Sequence, residues 1–172
     1  MQPDNRLDTY HFYERDWDSW EQLRSSFEWE IPDEFKMAEY VCDRWAADNA
    51  RVAVFAEAVD GTEDVVTFWQ LRRDANRLAN ALADRGVGRG DRIMVHGGQR
   101  PETLVSFVAA WKLGAAVVPV STLLSGESLS YRLDDSGASV LIAGGSAIEA
   151  VRAIEDADSL LDVVVVTGEA SL

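Results

Sequence analysis

Apolar positions follow two alternating patterns from residue 33 onward. Short apolar runs, typical of strands, are separated by stretches in which apolar residues recur every three or four positions, as on one face of a helix. The predicted strands are RVAVFAEA, DRIMVHG, AAVVPV, SVLIAG and LDVVVVTG, at residues 51–58, 91–97, 115–120, 139–144 and 161–168. Because helical segments connect them, we predict an α/β fold: a doubly wound, mostly parallel sheet with helices on both faces.

Residues typical of helix ends predict where the first helix begins. Asp33 is its candidate N-cap, because a short polar side chain there can accept a hydrogen bond from the first turn. Phe35, Ala38, Cys42 and Trp45 then form one apolar stripe. The sequence therefore predicts a helix that starts near residue 33 and buries this stripe.

Two longer helices have clearer boundaries. Thr67 and Gln70 have the spacing of a capping box, and Gly86 stands where the C-cap of the same helix belongs. Pro101 suits the first turn of the next helix, and Gly114 is placed to end it. A turn is predicted before the first of these helices, at VDGTED.

The last third of the sequence predicts two more helices. One lies between Ser125 and Gly137, and a capping box from Ser146 to Glu149 opens the other. The AAVVPV strand before them is apolar almost throughout, which is typical of a strand buried on both faces of a parallel sheet.

Residues 1–32 do not follow these patterns and form a separate, acidic and aromatic arm. Tyr13, Trp17, Trp20 and Arg24 lie near helical spacing, so we expect a short helix there. The segment is too aromatic for a disordered tail. We expect its aromatic side chains to pack in a core or an interface rather than to form a cage around a ligand.

The net negative charge of the chain argues against two classes of partner. The 172 residues include 30 acidic and 16 basic ones, for a net charge of −14, which repels nucleic acid and anionic membranes. The only lysines are Lys36 and Lys112, so we consider two origins for this composition, a high-salt cytoplasm or a GC-rich genome. No apolar run approaches the about 20 residues that span a bilayer. With the single Cys42 and a polar, acidic amino terminus, we expect a cytoplasmic protein.

The glycines between residues 86 and 98 fall into two groups. Gly86, Gly88 and Gly90 follow a helix and precede a strand, so we expect turns at the sheet edge away from ligands. Gly97 and Gly98 lie between a strand and a helix, at the edge where open α/β sheets bind ligands.

Some residues of the loop at Gly97 and Gly98 favour anion binding, and others oppose it. Arg100 favours an anion there, whereas Pro101 removes a backbone donor and Glu102 opposes a phosphate. The pair Gly144–Gly145 has the same position after its own strand.

Familiar catalytic motifs are absent from the sequence. It contains no Walker-type phosphate loop and no nucleophile elbow. His11, His96 and Cys42 are too few and too scattered to predict a metal cluster. His96 is open to two interpretations, a pocket residue or a structural one. No catalytic residue is assigned.

Three long segments together resemble the amino-terminal part of the AMP-forming acyl-CoA synthetases, within the adenylate-forming superfamily. They are FEWEIPDEFKMAEYVCDRWA, VVTFWQLRRDANRLANALADRGVGRGDRIMV and RPETLVSFVAAWKLGAAVVPVSTLLSGESLSYRLDDSGASVLIA. The likeness covers roughly residues 27–167 and is strongest to the medium-chain acyl-CoA synthetases. It rests on the order and spacing of the segments rather than on one motif.

This resemblance implies ligation of a fatty or aryl acid to coenzyme A. ATP, with Mg²⁺, first converts the carboxylate to an acyl-adenylate, and coenzyme A then displaces AMP. The family pattern places coenzyme A near Thr122 and Leu123, in the loop after the AAVVPV strand, and near Arg152. The medium-chain relatives have a polar amide where Leu123 stands.

The resemblance also implies that residues 33–172 are a partial AMP-dependent synthetase/ligase domain. The family's lysine-bearing phosphate loop is expected beyond residue 172, so we predict a truncated chain that forms no adenylate alone. Its partners would be the remainder of the enzyme or, through an uncovered sheet edge, a second copy. Two alternatives stay open, a nucleotide- or cofactor-binding module and a non-catalytic interaction domain.

Overall fold

The structure is a computed structural model, and it describes residues 8–58, 60–124, 126–154 and 161–167. The chain forms two compact units, Met1–Lys36 and Met37–Leu172. The first unit contains a 3-10 helix, Asp8–Glu14, and helix α1, Trp20–Ser26.

The first unit differs from the single helix predicted for it. Ser19 caps α1 by accepting a hydrogen bond from the backbone N–H of Gln22 at 3.1 Å. Tyr13 and Trp17 lie before this cap, so the prediction that they share a helix with Trp20 and Arg24 was wrong. A serine N-cap outweighed the helical spacing of the aromatic rings.

The second unit opens with helix α2, Met37–Val41, followed by a 3-10 turn, Asp43–Trp45. The predicted N-cap at Asp33 was wrong, because the helix begins four residues later. Ala38 and Cys42 are buried as predicted, whereas Trp45 is only half-buried.

Strands β1, Val52–Glu57, and β2, Glu63–Thr67, form an antiparallel hairpin of their own. Strand β1 was predicted, but β2 was not, because EDVVT begins with two acidic residues. Gly61 takes the left-handed conformation, with φ of 82°, in the tight turn between the strands. The hairpin therefore stands outside the predicted run of parallel strands.

The remaining strands form one fully parallel sheet in the order β4-β3-β5-β6, which confirms the predicted fold class. Helices cover both faces of it. The strands are β3, Arg92–His96; β4, Ala116–Pro119; β5, Val140–Gly144; and β6, Val163–Thr167. The helices are α3, Phe68–Ala83; α4, Pro101–Leu113; α5, Gly126–Ser136; and α6, Ile148–Arg152.

Alternate residues of β3 and β5 point to opposite layers of the core. On one face, Ile93 and Ile142 pack in a cluster with Leu82 of α3 and Ala110 of α4. On the other face, Met94 and Leu141 pack with Leu129 and Leu133 of α5 and Val151 of α6. Strand β5 is therefore buried on both sides, and β3 is buried from its second residue onward.

Strand β4 differs from its prediction. It lies at the end of the described sheet and pairs there with β3 alone, and its four residues are half-buried or exposed. An apolar run predicted burial on both faces, but the pairing order, which the run does not encode, placed this strand at an edge.

Helix ends follow the predicted chemistry in α3 and α4. Thr67 and Gln70 form both hydrogen bonds of the capping box. The Val87 N–H donates to the Leu82 carbonyl, and Gly86 between them has φ of 86°, which is a Schellman ending. Gly114 ends α4 with φ of 72°.

The predicted capping box at Ser146 was wrong. A 3-10 turn occupies Gly145–Ala147, so the N-cap of α6 is Ala147, without a side-chain hydrogen bond. Helix α6 is accordingly short, with five residues.

Candidate functional site

A cleft of about 760 Å³ opens at the carboxyl edge of the sheet, within the second unit. Its walls come from the loops after β3 and β4, from the first turns of α4 and from β1. Apolar side chains include Phe55, Val95, Leu104, Phe107 and Pro119, and polar ones include Gln99, Ser121 and Thr122. This is the edge at which open α/β folds place their ligands.

Two charged residues line the cleft, Arg100 and Glu57. The Nε atom of Arg100 lies 3.5 Å from Oε2 of Glu102, and the Arg100 side chain is more than half exposed. Such an exposed pair is weak, so the guanidinium can turn to an anionic ligand. Arg100 is also the N-cap of the 13-residue helix α4, whose dipole adds positive potential.

Gly97 is required by the packing of the loop after β3. A Cβ atom at this position would stand 2.6 Å from Oγ1 of Thr103, which donates a 2.8 Å hydrogen bond to the Gly98 carbonyl. Gly98 itself has open space where a Cβ would be. The Thr103 hydroxyl thus fixes the Gly97–Gly98 loop from the first turn of α4.

The two glycine pairs singled out from the sequence meet at the end of the sheet. A Cβ on Gly144 would lie 3.9 Å from both the Gly97 Cα and the His96 carbonyl oxygen. Strands β3 and β5 are neighbours, and their following helices cover opposite faces of the sheet. This junction is the topological switch point of the described sheet. The earlier group, including Gly86 and Gly90, forms positive-φ turns at the opposite edge, as predicted.

His96 is fully buried at the end of β3. Neither ring nitrogen makes a hydrogen bond of good geometry, although the Ser121 backbone lies close enough to favour the protonated ring. Burial is the larger effect and lowers the pKa of His96. His96 is not among the residues that line the cleft, so the structural interpretation fits better than the pocket one.

The structure brings one of the three predicted coenzyme A residues to the cleft. Thr122 lines it. Leu123 lies just outside, with 92% of its surface exposed, and its N–H donates to the Ser121 hydroxyl at 3.2 Å. Arg152 is on α6, where it pairs with Glu149 at 2.9 Å, and does not line the cleft.

Sequence reasoning missed the contribution of the hairpin. Phe55 and Glu57 of β1 form one wall of the cleft. No local signal identifies them, because β1 and the first turns of α4 line the same cleft although they lie about fifty residues apart in the chain.

The described ranges contain neither a cluster of metal-ligating side chains nor a helix that could span a membrane. No group of three His, Cys, Asp or Glu side chains comes together there in a way that could hold a metal ion. In the same ranges, no helix combines the length and apolar character that crossing a bilayer requires.

Comparison with known proteins identifies close relatives. Residues 42–171 match the family model of the AMP-binding enzymes. The acetyl-coenzyme A synthetases of Burkholderia lata and Burkholderia mallei are each 42% identical over 108 residues. That match covers 61% of this chain but 16% of each relative, so the chain corresponds to a small part of their length.

Solved structures agree with the sequence match. An acyl-CoA synthetase from Brucella canis is 26% identical, with a TM-score of 0.70 over 80% of this chain and 25% of its own. An anthranilate CoA ligase in complex with anthranoyl-AMP is 27% identical, with a TM-score of 0.73 over 83% and 26%. A fatty acyl CoA synthetase of Mycobacterium tuberculosis is 29% identical, with a TM-score of 0.65 over 79% and 27%.

These matches confirm the resemblance to the amino-terminal part of the AMP-forming acyl-CoA synthetases, whereas the finer likeness to the medium-chain enzymes stays a prediction. They do not favour the alternatives, a separate cofactor-binding module or a non-catalytic interaction domain. The match over residues 42–171, the parallel sheet and the solved relatives agree, and the chain belongs to the AMP-binding enzyme family.

Proposed function

We propose that this chain is part of an AMP-forming acyl-CoA ligase, which activates a carboxylic acid with ATP and transfers the acyl group to coenzyme A. The observation that carries the proposal is the family match across residues 42–171. Relatives named as acetyl-coenzyme A synthetase, anthranilate CoA ligase and fatty acyl CoA synthetase share this chemistry, with different acids. We further propose that the substrate is a fatty or aryl acid and that the enzyme acts in fatty acid metabolism.

The cleft is the place where this chain would contribute to that reaction. We propose that coenzyme A approaches Thr122 and Leu123, with Arg152 meeting a phosphate of its nucleotide. The turn at Ser121 and Leu123 orients the backbone, and the Thr122 hydroxyl can donate to or accept from a polar ligand. Arg152 would have to exchange its exposed partner Glu149 for a phosphate, which costs little at the surface.

ATP and Mg²⁺ belong to the proposed reaction, but we assign no residue of this chain to either. The two lysines are Lys36 and Lys112, and neither lies in a glycine-rich phosphate loop. The described residues bring no three carboxylates together for Mg²⁺. Magnesium, when bound to ATP, would neutralise phosphate charge in the proposed reaction.

Calorimetric titration of the chain with coenzyme A tests the site. Thr122→Ala and Arg152→Gln should each weaken binding about three- to tenfold, because each removes a hydrogen bond to a polar or charged group. Arg132→Gln is the matched control, since Arg132 is another surface arginine and its guanidinium donates to the Ser128 carbonyl at 3.0 Å. If coenzyme A does not bind, or binds the three variants equally, the assignment of these residues is wrong.

The domain division is also a proposal. We propose that residues 1–32 are an arm and that residues 33–172 are a partial synthetase/ligase domain. Limited proteolysis should then cut first between the units, near residue 33, and leave a resistant larger fragment. Cutting first within α3 or α4 would contradict this division.

The net charge of the chain supports a proposal about the cell and the compartment in which the protein works. We propose a cytoplasmic protein of a high-salt cell, because a net charge of −14 with two lysines suits a surface screened by concentrated salt. The free energy of unfolding should rise between about 0.1 M and 2 M KCl. Equal stability at both concentrations would leave the GC-rich genome as the explanation.

A further inference from the structure

The indole ring of Trp45, in the second unit, carries two arginine side chains. The Cζ atom of Arg51 lies 3.9 Å from its centroid, and that of Arg44 lies 4.3 Å away. Arg44 also lies 3.7 Å from the ring centroid of Tyr40. Guanidinium groups at these distances are attracted to the ring face, so both side chains are held in place.

Neither guanidinium is neutralised. Within the described ranges, no carboxylate comes within ion-pair distance of Arg44 or Arg51, and the buried Nε atom of Arg44 has no hydrogen-bond partner. The neighbouring acids are already engaged. Asp43 accepts from Lys112, and Asp48 accepts from the Ala50 N–H at 2.9 Å.

The same chain contains a contrasting arginine–tryptophan pair. Arg73 lies 5.3 Å from the Trp69 ring centroid, and it donates two 2.8 Å hydrogen bonds to Asp74. The Asp74 carboxylate therefore already neutralises the guanidinium of Arg73. In a chain with 30 acidic residues, two stacked arginines without such a partner form an unusual positive site.

The start of α3 adds to this positive potential. The Phe68 N–H donates to the backbone carbonyl of Arg51 at 3.0 Å, and the Phe68 ring centroid lies 6.4 Å from that of Trp45. The first turn of α3 therefore lies near the ring that both arginines contact. That turn contains no acidic residue, so the positive end of the 16-residue helix dipole is not offset.

We propose that Arg44 and Arg51, held on Trp45, bind the phosphoryl groups of a small polyphosphate. Two guanidinium forks present several N–H donors, which suits an anion with three or more oxygens better than a lone carboxylate. The ring faces hold the donors in advance, so little side-chain entropy is lost on binding. This site is separate from Thr122, Leu123 and Arg152, and it does not depend on the ligase proposal.

Titration of the full chain with inorganic pyrophosphate at constant ionic strength, followed by calorimetry, tests the proposal. One saturable site is expected in the unaltered chain, with no comparable heat from acetate. Arg51→Gln should weaken it about tenfold, since a charged hydrogen-bond donor is lost, and Arg44→Gln with Arg51→Gln should abolish it. Arg51→Lys should recover only part of the affinity, because lysine keeps the charge but not the fork.

Two control variants separate this site from others. Arg73→Gln removes an arginine that is already paired, and Arg132→Gln removes a surface arginine that donates to the Ser128 carbonyl. Both variants should bind pyrophosphate like the unaltered chain. Arg51 is exposed, so its substitution leaves the core intact, and circular dichroism checks each variant. The proposal is overturned if pyrophosphate does not bind, if Arg51→Gln binds it unchanged, or if Arg73→Gln weakens binding as much.

Discussion

Lys112 Nζ lies 2.6 Å from Oδ1 of Asp43, joining the last turn of α4 to the 3-10 turn after α2. The two residues are 69 positions apart in the chain. The lysine side chain is only 13% exposed and that of the aspartate 31%. The pair therefore holds the amino-terminal part of the second unit against the sheet layer, in a setting where water screens it poorly.

Lys112→Met should lower the free energy of unfolding by about 2 kcal/mol, because Asp43 would keep its charge in a partly buried site without a partner. Urea denaturation measures the change. Adding Asp43→Asn to the same chain should recover part of the loss. Arg77→Gln is the surface control, since that ion pair is exposed and should change stability by less than about 0.5 kcal/mol. An equal loss in both single variants would contradict the role given to Lys112.

Gly97→Ala should destabilise the chain by about 1–3 kcal/mol, because the new methyl group would stand 2.6 Å from Thr103 Oγ1. The loop must shift, and the Thr103 hydrogen bond to the Gly98 carbonyl should be lost. Gly98→Ala is the matched control, with nothing within 4 Å of the added atom. Thermal unfolding of the two variants should therefore differ clearly, and similar melting temperatures would show that the loop accommodates either methyl group.

Cys42 should resist thiol reagents in the folded chain. Burial raises its pKa from 9.0 to about 11, with a smaller contribution from the neighbouring Asp43 carboxylate. At pH 8, about one thiol in a thousand would be ionised, and the side chain is fully buried. Reaction with a disulfide reagent should be slow until urea unfolds the chain. Fast reaction in native buffer would mean that α2 opens readily.

Stability should also depend on Cys42 at alkaline pH. Because the pKa of the thiol is higher in the folded state, its contribution is fully present below about pH 9 and is lost as the pH rises through about 11. Comparison with Cys42→Ala isolates this effect, since the variant retains all other titrating groups. The unaltered chain should lose more free energy of unfolding between pH 8 and 11 than the variant does.

His96 should destabilise the fold in acid. Burial lowers its pKa, so the neutral ring is the form that the folded state favours. Its contribution to stability is present above the ordinary pKa of about 6.5 and is lost as the pH falls below it. His96→Phe should flatten the decline in the free energy of unfolding between pH 7.5 and 5, measured with urea. An unchanged slope would mean that other groups cause the decline.

Local sequence chemistry was a good guide where the interaction was itself local. The capping box at Thr67 and Gln70 and the glycine endings at Gly86 and Gly114 involve atoms within a few residues of each other. The spacing rule failed for Ser146, where a 3-10 turn takes the place of the predicted first turn. It failed again near Asp33, because the chain enters its helix only at Met37.

The candidate site was only partly predictable for the same reason. The edge of the sheet that holds Gly97 and Thr122 follows from the order of strands and helices alone. Glu57 and Phe55 reach the cleft through the hairpin, and the stacking of Arg44 and Arg51 on Trp45 depends on how the turn after α2 packs. None of these contacts leaves a periodic signal in the sequence.

The sequence by itself determined the α/β class, the family, the parallel strands and most helix ends, because these depend on periodicity, on residues close in the chain and on the order of segments. Only the tertiary structure decided that β4 lies at an edge of the described sheet, that β1 and β2 form their own sheet, and that Arg152 does not line the cleft. Those outcomes depend on contacts between distant segments, where the burial of apolar area and strand pairing outweigh the preferences of any single run of residues.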